Sequence, residues 1–263
     1  MNLLHAIVLG LLQGLTEFLP VSSSGHLVIA QHFLPGFDQP GVLFDVLLHA
    51  GTMAAVLVYF RYDCRNLALA YFRPHKEARH YRRLLRLLIL ASIPTAIIGL
   101  TFKDFFVGVF HNLTMVSMML LVTGGLLYFS ERYRHKVTQD KKMRSMDALI
   151  AGVAQAGAIM PGISRSGSTI SALLFQGVSG ETAARFSFLM ALPAVLGATL
   201  ISLLEWPAGT VTDISVYVIG TAMAFLSGLA SIHMLMGIVR RRRLYAFALY
   251  CWFMGGVFFA ISL

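Results

Sequence analysis

What this chain has least of is charge. Only 13% of its 263 residues are Asp, Glu, Lys or Arg, against 57% hydrophobic, and the mean hydropathy is +0.73. That leaves too little polar surface to cover a water-soluble globule, so the composition is that of a polytopic membrane protein. Acids are scarcer than bases, 12 against 21, and Glu17 is the sole acid in the first 37 residues. Cysteine is limited to Cys64, beside a basic loop, and Cys251, inside an apolar run, which excludes a disulfide framework. No basic residue precedes the first apolar stretch, and no small-residue cleavage site precedes Gln13, so a cleaved signal peptide is not expected.

The bases that are present are not spread as a nucleic-acid face would need. Of 21 Lys and Arg, eight lie between Arg61 and Arg86, six between Arg132 and Arg144, and four are Arg240 to Arg243. Short basic loops between apolar runs are the mark of cytoplasmic connections. Despite a net charge of +9, no nucleic-acid partner is expected.

Apolar runs of two lengths occur. Long ones cover Val42 to Phe60, Leu84 to Phe102, Leu113 to Phe129, Phe186 to Leu204, Val216 to Val239 and Leu244 to Leu263. Short ones, Leu3 to Leu12 with Leu27 to Leu34 and Ala148 to Met160 with Ile170 to Val178, flank two polar stretches. Since a span takes about 20 apolar residues, the predicted fold is all-α and polytopic, with six transmembrane helices and two re-entrant helix pairs. Broken backbone at membrane depth is tolerated only where protein or a wet cavity surrounds it. With the basic loops in the cytoplasm, both termini and the connections near Lys103 to Asn112 and Glu205 to Ile214 fall outside.

The two polar stretches are related. An offset of 142 residues pairs Gly10 with Gly152, Gln13 with Gln155, Ser22 with Ser164, Ser24 with Ser166, Gly25 with Gly167 and Phe44 with Phe186. The reading is a single membrane domain, 1–263, of two repeats covering approximately 1–131 and 145–263, joined by a basic cytoplasmic loop 132–144. Each repeat holds one re-entrant pair and three spans. Three is odd, so the second repeat is inverted relative to the first.

The first stretch, GLLQGLTEFLPVSSSGH, sets Gln13, Glu17, Ser22, Ser23 and His26 in apolar surroundings. Gln13 and Glu17 are four apart and share a helix face. A carboxylate at this depth defaults to a functional role, as general base or as ligand of a hard divalent cation, with Gln13 adding a neutral oxygen; an interfacial Glu17 is the plain alternative. The serines after Pro20 can cap a helix and leave its N–H groups facing an anion. Ser23 with His26 could also form a nucleophile and base pair.

The second stretch carries Ser164, Arg165, Ser166 and Thr169 behind Pro161-Gly162. A guanidinium at the centre of a re-entrant pair needs an anion, and its planar fork suits phosphate; an internal salt bridge to Glu17 is the rival. Asp45 and His49, one turn apart, could line the cavity or form a supporting pair, and an interfacial Asp45 fits equally well. His75, His80 and His135 are expected to face solvent, and Gly124-Gly125 and Gly255-Gly256 to be close-packing sites between helices.

These residues resemble the integral-membrane undecaprenyl-diphosphate phosphatases associated with bacitracin resistance. The family's first motif corresponds to Gln13, Glu17, Pro20, Ser22, Ser23, Gly25 and His26. Its second, Pro-Gly-x-Ser-Arg-Ser-x-x-Thr, corresponds to Pro161, Gly162, Ser164, Arg165, Ser166 and Thr169. The resemblance implies hydrolysis of a polyprenyl diphosphate lipid to the monophosphate carrier reused in cell-wall polymer synthesis. It also implies a bacterial inner-membrane location, a site opening on the periplasmic side, and a divalent cation, Mg or Ca.

Many members have Glu where this chain has Gln13, which makes a metal site of Gln13 and Glu17 one charge weaker. Glu17, Ser23, His26 and Gln13 are the expected catalytic residues; Arg165, Ser164, Ser166, Thr169 and Ser22 are expected to bind substrate. The nucleophile is either Ser23 or a metal-activated water. Bilayer lipids, and a second copy in a homodimer, complete the expected partners. The competing reading is a transporter or flippase for a polyprenyl phosphate, since inverted repeats with broken helices are also a transporter's architecture. The other membrane lipid-phosphatase superfamily would want His six residues after Arg165, where this chain has Ser171.

Overall fold

The structure is a computed structural model, described here for residues 1–35, 42–72, 77–109, 112–134, 141–204, 214–240 and 244–262. Its described residues form helices and no strand. The first half contains α1 (Leu3–Phe18), α2 (Ser23–Phe33), α3 (Val42–Tyr59), α4 (Arg61–Leu69), α5 (Ala78–Thr101), α6 (Lys103–Val109) and α7 (Leu113–Arg134). The second contains α8 (Ser145–Gly157), α9 (Arg165–Phe175), α10 (Gly180–Leu204), α11 (Ile214–Arg240) and α12 (Tyr245–Ile261). The expectations placed on His75, His135, Arg241 to Arg243 and most of the Glu205 to Ile214 connection lie outside the described residues.

Among the described residues four helices, α5, α7, α10 and α11, are long and apolar enough to cross a membrane, and α3 with α4 makes a fifth if the bent pair is one span. The chain is therefore an all-α, multi-pass membrane protein. The run Val42 to Phe60 does not simply end a span: the helix axis turns by 81° into α4. Arg61, Asp63 and Arg65 follow at once, and charged side chains cannot continue into hydrocarbon. Buried Asp63 accepts from Arg185 of α10 and from Tyr81 Oη of α5 at 3.0 Å, which ties the bend to two long helices. The last apolar run yields only the 17 residues of α12, near the lower limit of about 17 for a span.

Three of the short helices, α1, α2 and α9, are longer than their apolar runs, whereas α8 is as long as its run but begins and ends three residues earlier. α1 continues through Gln13 and Glu17 to Phe18, because an i, i+4 polar pair is compatible with a helix that buries it. Leu19 then turns extended, φ −63° and ψ 140°, as the residue before a proline is driven to do. Small residues seat these helices on long ones. A Cβ on Gly10 would collide with the carbonyl oxygen of Gly220 in α11, and one on Gly152 with that of Ala91 in α5. Of the two predicted glycine pairs only one member of each packs: Gly124 lies against Trp252 and Gly255 against Leu121, while Gly125 and Gly256 face open space.

Candidate active site

Two breaks in the chain, 19–22 and 158–164, lie against each other. A Cβ on Gly25 would sit 3.3 Å from the Cα of Gly162, and one on Gly167 would sit 3.3 Å from the Cβ of Pro20. Ser166 Oγ also donates to the carbonyl of Leu19 at 3.3 Å. Each break ends in the same cap: Ser22 Oγ accepts from Gly25 N at 3.3 Å to start α2, and Ser164 Oγ accepts from Gly167 N at 3.0 Å to start α9. Both helices thus present the free N–H groups of their first turn at the junction.

The backbone at both breaks is unusual. Ser22 has φ 70°, where non-glycine residues are rare, and Gly162 has φ +93°. At Ser22 such a conformation costs about 1–3 kcal/mol and persists only where the surroundings fix it, whereas Gly162 adopts a positive φ freely. Thr123 of α7 holds the second break, since its Oγ1 donates to Gly162 O and accepts from Ser164 N, both at 3.0 Å.

Glu17 is the hub, 5% exposed. Its Oε1 accepts from Arg165 Nη2 at 2.8 Å. Its Oε2 accepts from Ser23 Oγ at 2.5 Å and from Gln13 Nε2 at 2.9 Å, with His49 Nδ1 at 3.3 Å. The Ser23 bond has the length of a charge-assisted O–H···O⁻ contact. The ion pair of Arg165 with Glu17, given from the sequence as the rival to an anion partner for Arg165, is present. A buried carboxylate is tolerable because the Arg165 guanidinium, the Ser23 hydroxyl and the Gln13 amide all donate to it.

The predicted pairing of Ser23 with His26 is not what the geometry gives. His26 Nδ1 is 2.8 Å from Ser22 O and its Nε2 is 2.7 Å from Tyr250 Oη, so both ring nitrogens are engaged and the hydroxyl of Ser23 goes to Glu17. Because a carbonyl only accepts, Nδ1 carries the proton and Nε2 is the nitrogen that can gain one. The hydroxyls of the second stretch serve the scaffold. Thr169 Oγ1 donates to Arg165 O at 2.8 Å and lies 2.6 Å from Ser187 Oγ, and Ser164 Oγ is 3.3 Å from Ser166 Oγ.

Among the described residues no group of three or more His, Cys, Asp or Glu side chains could hold a metal ion. Glu17 offers one carboxylate, and the buried Gln13 Oε1 has no hydrogen-bond partner among the described residues. One carboxylate and one neutral oxygen fit a hard cation whose remaining ligands are phosphate oxygens and water, not a cage made by protein alone.

His49, Tyr250 and Ser187 complete the site; sequence reasoning offered His49, with Asp45, as a cavity-lining or supporting residue and gave no role to Tyr250 or Ser187. The sequence paired His49 with Asp45, one turn away, and did not join it to Gln13 or Glu17. Its contact with Gln13 closes a separation of 36 residues that no local spacing encodes. His80 is exposed as expected, and Asp45 accepts from Gln31 Nε2 at 2.9 Å.

The sequence pattern of the family described as bacitracin resistance protein BacA matches residues 6–257. The chain belongs to this family. Within the BacA family it is 80% identical over 262 residues, all of both chains, to a protein of Syntrophotalea carbinolica named undecaprenyl-diphosphatase. It is 46% identical to a protein of that name from Halothermothrix orenii, with 97% of this chain and 96% of the other covered. A third, from Methanobrevibacter smithii, is 38% identical over 100% of this chain and 99% of its own.

Proposed function

We propose that this chain is an undecaprenyl-diphosphate phosphatase, hydrolysing undecaprenyl diphosphate to undecaprenyl phosphate and phosphate and so recycling the lipid carrier for cell-wall polymer synthesis. The observation that carries the reading is the convergence on Glu17 of a hydroxyl, Ser23, and a guanidinium, Arg165, drawn from opposite halves of the chain. Glu17 takes the Ser23 proton as Oγ attacks the terminal phosphorus. The bond between that phosphorus and the bridging oxygen breaks, and undecaprenyl phosphate leaves. Water then cleaves the phosphoserine.

Arg165 and the first-turn N–H groups of α2 and α9 hold the phosphate oxygens and stabilise the charge that moves between them. Ser164 and Ser166 fix the start of α9, Ser22 fixes that of α2, and Thr169 braces Arg165 through its carbonyl. His26 exchanges a proton at Nε2. A divalent cation, Mg or Ca, belongs to the same reading: Glu17 and Gln13 would hold it beside diphosphate oxygens, and it supplies charge neutralisation on the phosphates.

The architecture we infer keeps six spans, counting α3 and α12, and two re-entrant pairs, α1 with α2 and α8 with α9. Its two repeats, about 1–131 and 145–263, are inverted about the cytoplasmic loop 132–144. Mirrored packing supports this: α1 lies on α11 as α8 lies on α5, and α1 contacts α2 as α8 contacts α9. In this reading the site opens to the periplasmic side of the bacterial inner membrane, both termini are periplasmic, the lipid tail leaves sideways into the bilayer, and two copies form a homodimer. A transporter or flippase is not favoured, because binding alone has no use for a hydroxyl donating to a buried carboxylate. Purified full-length protein in detergent with Mg²⁺ should release phosphate from undecaprenyl diphosphate; no release would overturn the reading.

A further inference from the structure

His49 lies outside both motif stretches, on α3, yet it touches both acidic-site residues of the first. Its Nδ1 is 2.8 Å from Gln13 Nε2 and 3.3 Å from Glu17 Oε2. An amide nitrogen cannot accept a hydrogen bond, so the orientation of the Gln13 amide decides which group donates. With the amide reversed, Gln13 Oε1 would face Glu17 Oε2 at the 2.9 Å now occupied by Nε2, two acceptors in contact. The arrangement without that 2.9 Å contact has Gln13 Nε2 donating to Glu17 and turned also towards His49, whose Nδ1 stands 3.3 Å from the same carboxylate oxygen. His49 Nδ1 is then the acceptor, and the ring carries its hydrogen on Nε2.

That leaves His49 with a directed N–H donor on the side of the ring away from Gln13. The side chain is 29% exposed whereas Glu17 is 3% exposed, so the imidazole stands at the open edge of the cluster and not behind it. Ser23 and Arg165 meet the same carboxylate from α2 and α9. A diphosphate held by Arg165 and attacked by Ser23 must therefore lie beside the α3 wall on which His49 sits.

We propose that His49 is a substrate-binding residue: its Nε2–H donates to an oxygen of the diphosphate while its Nδ1 holds Gln13, and through Gln13 the Glu17 carboxylate, in register. This rests on the proposed phosphatase reading for the identity of the anion. A hydrogen bond to a charged oxygen changes binding by about tenfold or more.

The test uses full-length protein in detergent and farnesyl diphosphate as probe, with binding read from the shift in thermal unfolding and turnover from phosphate release. His49→Ala should weaken farnesyl diphosphate binding and raise KM about tenfold. His49→Gln should recover most of the loss, because a carboxamide also offers one acceptor towards Gln13 and one donor towards the phosphate. Equal binding by wild type and His49→Ala, both folded by size exclusion, overturns the proposal, as does a His49→Gln variant no better than His49→Ala. If wild type binds the probe without releasing phosphate, and His49→Ala binds it more weakly, His49 stands while the phosphatase reading falls. If wild type does neither, both fall.

Discussion

Arg165 is 15% exposed in its side chain and among the described residues has one carboxylate to answer it, Glu17 at 2.8 Å. Among the described residues its other terminal nitrogen has Ser187 O as acceptor, at 3.5 Å, the long limit of a hydrogen bond, and in our proposed reading that half of the fork takes a phosphate. A lysine would put a point charge in place of that fork. Arg165→Lys should accordingly lower kcat/KM for phosphate release roughly 100-fold or more, while a value within a few-fold of wild type would contradict phosphate gripping. Glu17, Gln13, Ser23 and Arg165 were legible in the sequence because isolated polar groups stand out against apolar neighbours. His26 was legible too, but its partner was not: Tyr250 approaches it across 224 residues, and only the packing of α12 brings the two rings together.

Each break between helices is held by few atoms, and the second break is the more constrained. Gly162 combines φ +93° with a site where a Cβ would run into Val116 O and lie 2.7 Å from Met119 Cβ. Neither backbone nor side chain can yield without moving α7. Gly162→Ala should cost roughly 2 kcal/mol or more, and thermal unfolding in detergent should move down by roughly 4 °C. An unchanged Tm would mean that this break is not rigidly held. The breaks themselves were readable from Pro20 and Pro161-Gly162. The end of α1 was not, because hydropathy stops at the first polar residue whereas a helix stops where its backbone can no longer continue; α8 ends at Gly157, before its apolar run does. The bend at Phe60 escaped for a similar reason: α4 is helical on both sides of its charges, and only Asp63 meeting Arg185 and Tyr81 turns it aside.

At the scale of the whole molecule, the orientation we propose in the bilayer rests on the distribution of charge. Ile214, 72% exposed at the start of α11, follows a connection inferred to be outside. With Cys64 and Cys251 replaced by Ser, Ile214→Cys should react with an impermeant thiol reagent in intact cells. Labelling only after lysis would reverse the topology. The offset of 142 residues is the basis of the repeat we propose, but what the two copies do together was not readable from it. Identity at Ser22 and Ser164 fixes two similar helix caps, whereas the joining of Glu17 to Arg165 depends on both breaks lying against each other.

That joint is the central claim, and a double-mutant cycle tests it most directly. Residues acting as one unit lose function non-additively. Glu17→Gln and Arg165→Lys should each remove most of the phosphate release from undecaprenyl diphosphate, and the double variant should fall little below the worse of the two. Losses in kcat/KM that multiply would mean two independent sites and would contradict the account.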